Sequence, residues 1–106
     1  MSLGVGEAKI ETFPNKISLT GFLIFDTVLP IYQSGLGYLA TYSFPELEID
    51  LSQVEKSDSS GLSLLLGWMR AAKQKKINLH FTNVPRYLLD VARVCGIDNI
   101  LPITYS

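Results

Sequence analysis

Between Glu46 and Ala72 the apolar residues change period, and this constrains the fold more than any other feature of the chain. Leu47, Ile49 and Leu51 alternate with Glu48 and Asp50, the two-residue period of a strand with one buried side. A polar loop is expected over residues 52–57. Beyond it Leu62, Leu65, Leu66, Met69 and Ala72 recur at the roughly 3.6-residue period of a helix with one apolar face. Ile77, Leu79 and Phe81 then alternate with Asn78 and His80, which returns the pattern to a strand. A strand–helix–strand unit closes by a right-handed crossover, so these two strands are expected to run parallel.

The flanking segments extend this unit. Residues 8–13 and 16–21 read as strands joined by the turn signal Pro14-Asn15, an antiparallel hairpin. Asp26 or Thr27 is placed to cap a helix carrying Val28, Leu29, Tyr32, Leu36 and Leu39. Pro30 fits that helix because it falls in the first turn, while Gly35 and Gly37 weaken its middle. Pro85 opens a third helix at its first position, running to about Cys95 and stopping at Gly96. Residues 99–103 read as a short last strand. The expected fold class is α/β, a mixed sheet flanked by helices in the order β-β-α-β-α-β-α-β. A chain of 106 residues, 47% of them apolar, makes a single domain over 1–106 with a core of its own. Residues 1–6 read as a flexible tail.

Composition excludes several functions. A net charge of -1 shows no bias toward nucleic acid. Lys73, Lys75 and Lys76 complement the carboxyl end of the central helix. No stretch approaches the roughly 20 apolar residues of a membrane span, and the amino terminus carries no basic-then-apolar leader, so a cytoplasmic protein without direct membrane insertion is expected. The single cysteine, Cys95, fits a reducing compartment, and its apolar helical setting reads as a buried, inert thiol. His80 has no acid beside it in sequence. A hydrolase with Ser59 as nucleophile would require His80 to reach that hydroxyl. Asp50 and Asp58 lack the ligand density of a metal site, and no phosphate-binding glycine loop is present, so no cofactor is expected.

The candidate site is Asp58-Ser59-Ser60-Gly61, at the start of the leucine-rich helix. Asp58 or Ser59 can cap it. The amide groups of the first turn would face an anion beside Ser59. A plain capped helix start explains the same residues without any further function. Leu64, Trp68 and Ala71 lie to one side of the apolar face, making the arc wider than a one-sided helix needs. Either the following helix covers the surplus or a partner does. Tyr87 and Val94, on the flank of that helix, would extend such a patch, and exposed Trp and Tyr together are typical binding anchors.

Ile49-Asp50-Leu51-Ser52-Gln53-Val54 followed by Ser57-Asp58-Ser59-Ser60-Gly61-Leu62 resembles the signature of STAS domains, the fold of anti-sigma-factor antagonists. Leu19-Thr20-Gly21-Phe22-Leu23 with Asp26-Thr27-Val28 resembles the entry to that family's first helix, so the likeness covers nearly the whole chain. Leu64-Leu65-Leu66-Gly67-Trp68, the turn Phe81-Thr82-Asn83-Val84-Pro85 and the helix Leu88-Leu89-Asp90-Val91-Ala92-Arg93-Val94 resemble the MlaB-like branch. That resemblance implies a non-catalytic accessory subunit of a phospholipid-transport ABC system, bound to the ATPase subunit and so peripheral to the inner membrane. The partner surface it implies comprises Asp58, Ser59, Ser60, Gly61, Leu64, Trp68, Tyr87 and Val94. The antagonist branch implies instead an anti-sigma factor kinase as partner and phosphorylation of Ser59. Those antagonists often carry a glycine where this chain has Ser63.

Overall fold

The computed structural model describes residues 6–104. The elements follow the expected order: β1 (Ala8–Phe13), β2 (Lys16–Leu23), α1 (Val28–Thr41), β3 (Glu46–Ser57), α2 (Ser59–Gln74), β4 (Asn78–Thr82), α3 (Arg86–Val94) and β5 (Ile103–Thr104). The five strands form one sheet in the order β1-β2-β3-β4-β5. β1 and β2 are an antiparallel hairpin, and the other neighbours are parallel.

One side of the sheet carries the core. Ile17, Leu19 and Leu23 of β2, Leu47, Ile49 and Leu51 of β3 and Leu79 and Phe81 of β4 are buried, each two residues from the next along most of its strand. The alternate positions, among them Lys16, Ser18, Glu48, Asp50, His80 and Thr82, are partly exposed on the opposite side. The helices therefore cover one face only. α2 lies in the middle of that layer, contacting α1 on one flank and α3 on the other. Lys75, just past α2, donates to the Ala40 carbonyl at 2.6 Å and so satisfies an end group of α1.

The sequence reading needs correction at residues 52–57, which continue β3 rather than form a loop. Here β3 extends past the end of β4 and pairs only with β2, from Thr20↔Gln53 to Leu23↔Ser57. With one side unpaired, the segment is mostly exposed and polar and loses the alternation that marks a half-buried strand. The register shifts twice there, and Gly21, at φ 94, supplies the left-handed backbone between the shifts. Pro85 takes the N-cap position, and α3 begins at Arg86, one residue after the expected start. Cys95 is exposed, not buried. The buried stripe of α3 is Leu88 and Ala92, and Cys95 falls on the C-cap beyond it, just before the chain leaves at Gly96.

Candidate functional site

The overhanging end of β3 hands directly into α2. Asp58 is the N-cap: its Oδ1 accepts from the Ser60 N–H at 2.8 Å. Its Oδ2 accepts from the Phe25 N–H at 3.1 Å, across from the loop between β2 and α1. The Asp58 N–H in turn donates to the Leu23 carbonyl at 3.1 Å. One residue thus caps α2 and ties it to the entry of α1, a second role that local sequence spacing did not reveal. Burial pushes the Asp58 carboxyl up, but the amide donors of Ser60 and Phe25 outweigh it and leave the group below the usual carboxylate range. On the α1 side, Thr27 occupies the N-cap position without capping; its hydroxyl donates to the Phe22 carbonyl and accepts from the Ile24 N–H at 3.0 Å.

Ser59 is exposed beside this clip, and Ser60 is partly exposed. The expected free amides are not all available to an anion there. The Ser60 N–H is held by the Asp58 carboxylate, and the Gly61 N–H donates to the Asp58 carbonyl at 3.0 Å. A phosphate on Ser59 would sit next to an ionised Asp58 and compete with it for the Ser60 N–H. Gly61 itself is buried. A Cβ at that position would stand 2.1 Å from the Ser57 Oγ, which donates to the Asp58 carbonyl. Its absent side chain serves packing under α2 rather than contact with a partner.

Two further residues expected on the partner surface are internal. Leu64 is buried and Trp68 has no exposure at all. The surplus apolar arc of α2 is covered by α1, the preceding helix, and not by α3 or a partner. The indole lies on Gly35, where a Cβ would meet its ring at 2.2 Å, and its N–H donates to the Tyr32 carbonyl at 3.0 Å. The Tyr32 ring rests in turn on Gly67, where a Cβ would stand 2.4 Å from the ring edge. Tyr87 and Val94 are exposed on one side of α3, but with Trp68 buried they do not form a patch with it.

An apolar surface does open beside Ser59, edged by Phe25, which the sequence reading passed over, and by Leu29, which it assigned to the apolar positions of the first helix. Phe25 is 80% exposed and Leu29 61%. With Val28, Pro30 and Tyr32 of α1 they face Ser60, Ser63, Leu64, Gly67 and Arg70 of α2 across a groove of about 770 Å³. Arg70 has no ion-pair partner among the described residues. His80 and Ser59 are not brought together: His80 pairs with Glu48, near the opposite end of β3, roughly 30 Å away along an extended strand. Among the described residues no three His, Cys, Asp or Glu side chains cluster to hold a metal, and no helix is long and apolar enough to cross a membrane.

Residues 10–102 match the family described as Mlab, STAS domain. The chain belongs to the MlaB family of STAS domains. Among solved structures, a chain of the Acinetobacter MlaFEDB complex in an ATP-bound conformation is 30% identical. It superposes with a TM-score of 0.77, over 91% of this chain and 100% of that one. The Bacillus cell-fate determinant SpoIIAA in its phosphorylated form is 17% identical with a TM-score of 0.67, covering 93% of this chain and 92% of that one. An antagonist-like protein of Thermotoga maritima is 13% identical with a TM-score of 0.74, covering 92% and 86%. The last two share the STAS fold. No curated protein sequence matches significantly.

Proposed function

We propose that this STAS domain is a non-catalytic, cytoplasmic accessory subunit of an ABC phospholipid transporter and docks on its ATPase subunit. The observation that supports this best is the 30% identity to a chain of an ATP-bound MlaFEDB complex, over the full length of that chain. The docking surface is the Ser59 end of α2 together with the groove edged by Phe25 and Leu29. Large apolar side chains at those exposures next to hydroxyls and an unpaired guanidinium have the make-up of an interface: apolar anchors with a polar rim. ATP hydrolysis and lipid handling stay with the other subunits.

Ser59 sits on the rim, where its hydroxyl exchanges hydrogen bonds with the partner at small desolvation cost. A negative charge there would stand beside the ionised Asp58 carboxylate, so it would act as a release signal rather than a latch. Co-purification with the cognate ATPase subunit tests the proposal. Wild type and Ser59→Ala should be retained and should raise the ATPase rate, and Ser59→Glu should be lost. Equal retention of all three variants would remove Ser59 from the interface. No complex with the ATPase, combined with a mass gain of one phosphate on incubation with an anti-sigma factor kinase and ATP, would replace this reading with the antagonist one.

A further inference from the structure

β1 is an edge strand whose outer side no described strand covers. The Phe22 N–H donates to the Glu7 carbonyl at 2.8 Å, which fixes the parity of the hairpin. In the regular β1–β2 register, Lys9, Glu11 and Phe13 turn their backbone groups inward to Thr20, Ser18 and Lys16. Ala8, Ile10 and Thr12 therefore turn theirs outward, as a ready template for another strand. Side chains alternate as well: Ile10 packs against the core, while Lys9 and Glu11 stand on the open face, 56% and 47% exposed and 3.9 Å apart.

We propose that β1 pairs antiparallel with β1 of a second copy of this chain, about a two-fold axis at Ile10. Ile10 then exchanges both backbone hydrogen bonds with its twin, and Ala8 does the same with Thr12 of the other copy. The charge pattern selects this register. The backbone parity permits slips only in steps of two residues. In the centred register Lys9 lies opposite Glu11 on both sides of the axis. A slip one way sets Lys9 opposite Lys9, and a slip the other way sets Glu11 opposite Glu11, each a destabilising pair. Single charges on an edge strand block pairing, but this opposite pair, two residues apart, complements itself in one arrangement. The two sheets join into one, with both helix layers on the same face. Tyr38 of α1 donates to the Phe13 carbonyl, so the second half of α1 lies over this hairpin. The exposed positions of that half are Gly37, Ala40 and Thr41, all short, so they leave room for the second copy.

An interface of one strand pair is small, so the dimer is weak and reversible. Sedimentation velocity of the full chain across a concentration series should show it forming. Lys9→Glu or Glu11→Lys should weaken it about tenfold or more, since each converts two attractive cross-strand pairs into repulsive ones. The combined Lys9→Glu and Glu11→Lys swap should restore it. Thr12→Pro deletes an outward N–H without touching the bonds to β2 and should weaken it as well. Circular dichroism confirms that each variant is folded. A wild type that stays monomeric throughout, a dimer indifferent to the single variants, or a charge swap that fails to restore association would overturn the proposal.

Discussion

The middle of α2 and its amino end face the same helix, α1, and reach opposite conditions. At the middle, Trp68 is fully enclosed because Gly35 leaves room for its indole and Gly67 for the Tyr32 ring, so α1 and α2 close on each other. At the amino end no such glycine pair brings α1 down. Phe25 and Leu29 are left standing over a groove, with the exposed Ser59 beyond. A large aromatic in an apolar arc is therefore no sign of an interface by itself; the small residues facing it decide whether the chain covers it.

The largest effect should come from breaking the closed half. Trp68→Ala removes a wholly buried indole and should cost about 3–5 kcal/mol. Gly35→Ala should cost about 1–3 kcal/mol by overpacking, because the ring it meets is held by the Tyr32 carbonyl and has nowhere to move. Urea unfolding measures both. A Gly35→Ala protein as stable as wild type would show that the helix contact is loose, and the contrast with the open end would collapse.

A smaller effect tests the clip between the halves. Asp58→Ala should cost about 1 kcal/mol at neutral pH through the lost cap of α2, and it also releases the Phe25 N–H. The folded Asp58 ionises below the unfolded value of about 3.9. Its contribution is therefore complete above that pH and fades as pH falls through the folded pKa. Asp50, also lowered, acts in the same direction: burial raises it, but the Asn83 amide, Ser52 and Lys16 outweigh that. Stability measured from neutral pH to below 3.9 should show the gap between wild type and Asp58→Ala narrowing, while both keep the acid loss due to Asp50. A gap that stayed constant would place the cap energy in hydrogen bonds indifferent to charge.

Much of this is legible in the amino-acid sequence. Period-two and period-3.6 stretches located the three helices and the first four strands, since both depend only on which residues face the core; the last strand, expected over 99–103, is the two residues Ile103–Thr104. The capping rule put the helix start at Asp58 or Ser59 because capping is local, and Asp58 is the cap. What escaped was decided across the chain. The reading of Trp68 as an anchor failed because its cover comes from Gly35, far away in sequence, and glycines there looked like helix breakers rather than room for an indole. Residues 52–57 escaped because an overhanging strand end has no buried side to leave an alternation. Phe25 and Leu29 escaped because exposure is what remains after packing, and no local pattern encodes it.

The smallest effect on stability should accompany the clearest effect on association. Leu29→Asp changes a side chain that is 61% exposed in the first turn of α1. A surface substitution of this kind shifts stability within about 0.5 kcal/mol, and an acidic residue at a helix amino end is favoured by the dipole, which offsets part of any loss. Against a docked ATPase the same change buries a carboxylate in an apolar contact, which is costly without a paired cation. Leu29→Asp should therefore unfold like wild type in urea yet fail to co-purify with the ATPase subunit. Arg70→Ala should leave both properties close to wild type. If Leu29→Asp kept full binding, the groove would lie outside the interface, and the open end of α2 would need an occupant other than the ATPase.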